Sequence, residues 1–191
     1  KDGGRSWRTF NQGLHRTSIF DFLFAPDFAA SKVFFCCSNF AFYYAQADDA
    51  LWQRVDLKSR TREIPGKPGK HKKVKTLSAQ HTDEGTTAPD SDNLPAGFPI
   101  TLVASPGFKS DQTLFFGSRY EGIYKSDDAG KSWFRIWDAN NTMTSALALS
   151  SGYMNDGSIF VGTYAGEVLK STDRGLSWVQ ISKLAPNQFL R

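Results

Sequence analysis

The sequence is short of the residues that would place it quickly. Its only cysteines, Cys36 and Cys37, are neighbours. Adjacent side chains in a strand point to opposite faces, and a disulfide between them would be badly strained. Two buried free thiols are therefore expected, with no disulfide framework and no Cys/His set at metal-ligand spacing. No metal or cofactor is expected on these grounds. No apolar run approaches the roughly 18 residues that cross a bilayer, so no transmembrane helix is expected. Between the candidate strands no segment repeats its apolar residues at a helical period, which argues against alternating strands and helices. No hydrophobic leader follows Lys1, and a cut product would not keep one, so the compartment stays open.

Acidic residues are nearly missing from one stretch. Between Lys58 and Lys75 eight Lys/Arg face a single acid, Glu63, and residues 76–93 then carry four acids and no Lys or Arg. The net charge of +4 belongs to this segment, because the rest of the chain is close to neutral. Rich in Pro, Gly, Ser and Thr, it cannot bury enough surface to fold alone, and 58–93 reads as a flexible charged insertion. Lys70, Lys72 and Lys73 are its candidate contacts to an anionic partner. No aromatics interleave with them, so base stacking has no support.

What the chain does contain is a repeat. Trp133 and Trp178 each close an octad, SDDAGKSW at 126–133 and STDRGLSW at 171–178, and both read Ser-x-Asp-x-Gly-x-Ser-Trp. The chain opens on KDGGRSW, the same octad without its first residue, and AQADDALW at 45–52 is a worn copy with Ala47 for Asp and Asp49 for Gly. The match runs upstream: SDQTLFFGS (110–118) lies over NDGSIFVGT (155–163), GIYKS (122–126) over EVLKS (167–171), and APDFAASKVFF (25–35) resembles SPGFKSDQTLFF (105–116). Trp7 to Trp52 repeats the 45-residue spacing of the later pair, and the longer gap from Trp52 to Trp133 is accounted for by the charged insertion.

Each period holds four short apolar, β-branched or aromatic runs punctuated by Gly, Asn and Asp. In the second full copy they fall at Ile100–Ala104, Thr113–Ser118, Gly122–Ser126 and Trp133–Trp137. Four strands in each 40 to 50 residues describe a propeller blade. The fold class is therefore all-β, with blades at about 17–56, 98–138 and 143–182 and an orphan strand at 7–10. A ring of about four to eight blades is needed for closure, so the remaining blades are expected in a longer parent protein. Trp137-Asp138 is a WD dipeptide, but the next copy has Ser182-Lys183 there, so the repeating tryptophan belongs to the octad.

These octads resemble the Asp box, or BNR repeat, of sialidases, other glycoside hydrolases, the sortilin ectodomain and photosystem II assembly and stability factors. The resemblance implies a hairpin between third and fourth strands. In it Asp2, Asp128 or Asp173 accepts backbone N–H bonds, and Gly4, Gly130 or Gly175 supplies a positive φ. Trp7, Trp133 or Trp178 then buries its ring between sheets. All these residues have structural work to do. An EF-hand reading fails because no glutamate stands at loop position twelve and a strand follows.

Strand alternation puts the octad turns on one rim and the second-to-third-strand turns on the other. Ligands usually meet the latter, which gathers Arg16, Arg119, Tyr120, Glu121, Tyr164 and Glu167 as binding candidates. A sialidase-like site would ask for three arginines on a carboxylate and a Tyr–Glu pair. Arg16 and Arg119 offer two of the three, Tyr120 and Glu121 are adjacent and would point apart, and Arg62-Glu63-Ile64-Pro65 lies inside the insertion. No catalytic residue is assigned. The reading is a non-enzymatic scaffold presenting loops to a protein or glycan partner. The alternative is part of an Asp-box glycoside hydrolase whose catalytic groups lie mostly outside this chain. Asn140-Asn141-Thr142 is a glycosylation sequon, informative only in a secreted protein.

Overall fold

The computed structural model describes residues 5–14, 18–38, 41–48, 51–55, 58–59, 99–139 and 142–183. Each period folds as an antiparallel sheet whose four strands lie in chain order. The first sheet holds β1 (Ile19–Phe24), β2 (Val33–Ser38), β3 (Phe42–Gln46) and β4 (Gln53–Val55). A two-residue strand, β5 (Lys58–Ser59), follows. The second sheet holds β6 (Pro99–Ala104), β7 (Leu114–Ser118), β8 (Ile123–Ser126) and β9 (Ser132–Trp137), and the third β10 (Thr144–Leu149), β11 (Ile159–Thr163), β12 (Glu167–Ser171) and β13 (Val179–Lys183). The four strands expected for the second copy agree with β6 to β9 within one residue at each end.

The sequence reading missed two features. One turn of helix joins the first and second strands of every sheet: α1 (Phe28–Ser31), α2 (Phe108–Asp111) and α3 (Tyr153–Asp156), each ending on a left-handed residue, Lys32, Gln112 or Gly157. A four-residue helix is too short to show a period. The second is β5, which lies parallel to β9 with Lys58 and Ser59 opposite Ser132 and Trp133. It therefore covers the outer edge of the second sheet from inside the stretch read as insertion; residues 60–93 lie outside the described residues.

The three sheets repeat each other in detail. Each pairing of first and second strands shifts register once near its start, between Ile19 and Asp21, Pro99 and Thr101, and Thr144 and Ala146. Strand alternation gives each sheet two opposed faces, and the second sheet uses both against its neighbours. Phe35, Cys37 and Phe42 of the first sheet pack with Leu102, Leu114, Phe116, Tyr124 and Trp133 of the second. The opposite face of the second sheet, with Phe115, Ile123 and Ile136, packs on Leu147, Tyr153, Ile159 and Val161 of the third. Cys36 belongs to a different cluster from Cys37, with Phe34, Tyr43 and Trp52 on the outer face of the first sheet. The neighbouring thiols are thus buried, free and on opposite faces. Burial pushes both thiols up to about 12.

The first strands meet at one side of the stack, β6 lying between β1 and β10. Asp21 joins the first two, its Oδ2 accepting the Leu102 amide at 2.8 Å. Further out, the Trp133 ring is 2% exposed. It stacks on Phe42 at 4.8 Å and meets Phe116 edge-on at 4.8 Å. Trp52 is also buried, but its indole N–H donates to the Phe10 carbonyl at 2.8 Å and its amide to Gln12 O at 2.9 Å. Residues 7–10 pair with no strand among the described residues. Trp7 stands 88% exposed, while Phe10 packs on Phe34 and Trp52.

Both end sheets keep an apolar outer face in the open. Phe20, Phe22 and Phe24 are about half exposed on β1, as are Val179 and Ile181 on β13. The 191-residue chain by itself should therefore self-associate. Sedimentation showing a well-dispersed monomer at high concentration would count against packing of these faces. Trp133→Ala should destabilise by about 3–5 kcal/mol in denaturant melts through loss of a buried aromatic. The half-buried Trp178 should cost less on the same change, and equal costs would show that Trp133 is not core.

Candidate functional site

The described turns fall on two rims with different chemistry. On one rim lie the octad hairpins and the short helices. In the second sheet Asp128 Oδ1 accepts the Ser126 hydroxyl and the Ser132 amide, both at 2.8 Å, and Oδ2 accepts the Ser132 hydroxyl. Ser126 Oγ in turn accepts the Gly130 amide at 2.8 Å. The third sheet repeats this with Ser171, Asp173, Gly175 and Ser177. Both central turn residues have positive φ, Ala129 at 58° and Gly130 at 88°, Arg174 at 62° and Gly175 at 92°. Such a pair is the primed turn that matches strand twist in tight hairpins. The glycine was legible in the sequence; the left-handed Ala129 and Arg174 were not.

A second Ser/Asp turn, unread in the sequence, lies beside each intact octad. Ser105 Oγ donates to Asp111 Oδ2 at 2.6 Å and accepts the Gly107 amide, while Asp111 Oδ1 accepts the Thr113 amide at 2.9 Å. Ser150, Gly152, Asp156 and Ser158 repeat it. The signal was available as Ser-x-Gly-aromatic-x-x-Asp in SPGFKSD and SSGYMND. The two turns of a sheet are tied by one backbone bond, Ala129 N to Gln112 O at 2.9 Å and Arg174 N to Gly157 O at 3.1 Å. The worn first copy also ties its two turns by a backbone bond, one octad position earlier, from Ala47 N to Lys32 O at 3.0 Å.

The other rim holds the turns between second and third strands, with the candidate residues. Arg119 lies with its guanidinium 5.4 Å from the centre of the Tyr120 ring. Tyr120 is 46% exposed and Tyr164, in the matching turn of the third sheet, 76%. Glu121 accepts the Tyr124 hydroxyl. Tyr124 is buried and stacked on Phe116 at 4.6 Å. Burial first, and then the bond to Glu121, holds its hydroxyl well above the usual tyrosine range. A phenol held that firmly in its neutral form is not primed as a nucleophile at neutral pH. Glu167 pairs with Lys183 at 3.0 Å and Asp138 with Arg135 at 3.3 Å. Among the described residues, Glu121, Glu167 and Asp138 are thus each engaged by a side chain of their own sheet. Tyr124, Arg135 and Lys183 escaped the sequence reading because they sit on strands, where a tyrosine or cation reads as packing or surface.

Asp2, Gly4, Arg16, Lys70, Lys72 and Lys73 lie outside the described residues. Among the described residues no three His, Cys, Asp or Glu side chains come together as a metal site, and no helix is long and apolar enough to cross a membrane.

No family model matches the sequence. No curated protein matches it either. Solved structures do. The extracellular domain of a candidate one-component system from B. thetaiotaomicron aligns over 96% of this chain at TM-score 0.56 and 11% identity. These are blades of a β-propeller. The GH74 xyloglucanase from Xanthomonas campestris aligns over 87% at TM-score 0.53 and 19% identity. At such identities the likeness speaks for the fold alone. The aligned regions span 18% and 24% of those two chains. YCF48 bound to a D1 peptide aligns at TM-score 0.37, too low to carry weight.

Two carboxylates of the octad rim, Asp156 and Asp173, should make the blades acid-sensitive. At Asp173 burial opposes the charge, but the Ser177 hydroxyl and amide, the Ser171 hydroxyl and the Leu176 amide outweigh it and lower the pKa. Asp156 is lowered by the Ser158 amide and the Ser150 hydroxyl. A carboxyl depressed in the folded state adds stability above its ordinary value of 3.8. That stability is lost as pH falls through the lower folded value. Thermal melts from about pH 6 to about pH 2 should show Tm falling with acid, and Asp173→Asn should flatten that limb. An unchanged acid limb in the variant would assign the linkage to other groups.

Proposed function

We propose that this chain is part of a non-enzymatic β-propeller scaffold, its octads being Asp boxes, whose second-to-third-strand turns bind a protein or glycan partner. The observation that carries the reading is the pair of exposed tyrosines on successive blades, Tyr120 beneath the Arg119 guanidinium and Tyr164 at 76% exposure. Tyrosine and arginine combine a large apolar contact with directional donors and dominate binding hot spots. Loops on a rigid scaffold are where such groups act. The engaged state of Glu121, Glu167 and Asp138 favours this over the alternative, a piece of a glycoside hydrolase, which needs one carboxyl free to give a proton and another to take one. Arg16 belongs to the same proposed face, and the remaining blades of a longer parent would complete it.

The test is a paired screen of the chain and its variants on a glycan array and a displayed peptide library. Tyr164→Ala and Arg119→Ala should each weaken the selected interaction by about tenfold or more, or about 1.4 kcal/mol. Neither should shift the melting temperature. Binding that survives both changes would remove the rim from the reading, and turnover of a polysaccharide lost on Glu121→Gln would favour the hydrolase.

The insertion is a separate proposal: residues 58–93, through Lys70, Lys72 and Lys73, engage an anionic partner. Retention on heparin across a salt gradient should fall on deletion of 60–93, because exposed charges are screened by salt. Equal retention would make the segment a solvated spacer.

A further inference from the structure

The junction between the second and third blades carries a group that the binding reading does not use. Met154, in α3, lies across the start of α2 in the neighbouring blade. A β-carbon built on Gly107 would stand 2.3 Å from its sulfur and 2.7 Å from its methyl carbon, so the thioether rests directly on the glycine backbone. The Ser105 hydroxyl points at the same sulfur, 3.4 Å away, and donates to Asp111 Oδ2 at 2.6 Å. A hydroxyl has one proton. A thioether is a weak acceptor, so the hydroxyl donates to the carboxylate and the turn that opens α2 stays closed. Met154 is also tied by its backbone, its carbonyl accepting the Arg174 guanidinium at 2.7 Å. Yet the residue as a whole is 36% exposed.

We propose that Met154 is an oxidative modification site whose conversion to the sulfoxide loosens the junction between the second and third blades. A hydroperoxide supplies the oxygen. The sulfur lone pair attacks the outer peroxide oxygen, an S–O bond forms as the O–O bond breaks, and water leaves when the oxidant is hydrogen peroxide. Sulfur is oxidised by two electrons and the peroxide is reduced by two. The product is polar where the thioether was apolar. Its oxygen cannot lie between sulfur and Gly107, because that space does not admit even a β-carbon. It also accepts hydrogen bonds far better than a thioether, and competes with Asp111 for the Ser105 proton. Both effects act on one spot: the sulfur lifts from its seat, and the Ser105–Asp111 bond that closes the α2 turn opens. The first junction lacks this device, since there Asp27 stands in the place of Gly107 and Lys109 in that of Met154.

The chain supplies its own controls. Met143 is the other methionine, and the two cysteines are buried with thiols pushed up to about 12, which leaves little thiolate to react. The experiment treats the full chain with hydrogen peroxide, maps the added oxygen by peptide mass spectrometry, counts thiols, and follows Tm. The expected result is oxidation at Met154 with a fall in Tm of roughly 2–6 °C, reversed by methionine sulfoxide reductases. Met143→Leu should respond in the same way. Met154→Leu, close in volume and without sulfur, should fold and keep its Tm under peroxide. Ser105→Ala, which removes the contested proton, should show a smaller fall than the parent. The proposal is overturned if Met154 oxidises fully without loss of Tm, if it stays reduced until the chain unfolds, or if Met154→Leu loses as much stability as the parent.

Discussion

The aspartate at the centre of each intact octad is the constraint on which the rest depends. Asp128 holds three donors from its own hairpin, and Ser126 beside it accepts the Gly130 amide. Together they impose a turn with two residues in the left-handed region, one of them not glycine. An isolated hairpin would not keep Ala129 there, because the Cβ crowds the backbone. Once held, the turn fixes the register in which β9 leaves, and with it the side of the sheet on which Trp133 lands. A one-residue slip would send that ring to the opposite face and empty the space between Phe42 and Phe116. The bond network is small and local, but its consequence is the packing of two sheets.

The worn copy shows what happens when the carboxylate is lost. Ala47 cannot hold the hairpin, and the tryptophan that follows is secured from elsewhere, by the carbonyls of Phe10 and Gln12. A backbone bond between the two turns of the blade is present in all three copies, one octad position earlier in the worn one, since it needs no particular side chain. The same logic separates Trp52, whose indole N–H is paired, from Trp133, whose indole N–H is buried without an acceptor among the described residues. Ring packing keeps Trp133 in place despite that unmet bond, which argues that the aromatic contact outweighs it.

How much of this could be read from the residues depended on whether each feature repeats. The four strands of the second copy were legible to within a residue because apolar runs and turn residues recur at one spacing. The opposed burial of Cys36 and Cys37 followed from strand alternation alone. Short helices such as Phe108–Asp111 left no period to see, and β5 pairs across a gap in sequence that no local pattern reports. At the candidate site the exposed Tyr120 and Tyr164 were legible as turn residues. The engagement of Glu121 by Tyr124 and of Glu167 by Lys183 was not, since each joins a turn to a strand and depends on which way a side chain leans.

The two rims differ in what the repeat holds constant. On the octad rim both the framework and its tip recur, down to matching bonds in Asp128 and Asp173. On the opposite rim only the framework recurs: Ser118 Oγ accepts the Glu121 amide at 2.7 Å, and Thr163 Oγ1 accepts the Glu167 amide at 3.2 Å. The tips built on that shared hydroxyl differ, Arg119-Tyr120-Glu121 in one blade and Tyr164-Ala165-Gly166 in the next. A turn whose base is held by a small hydroxyl tolerates change at its tip, because the tip's side chains carry none of the bonds that keep the strands in register. Blades stabilised at one rim can therefore vary the other without loss of fold, and the exposed arginine and tyrosines stand where that freedom is greatest.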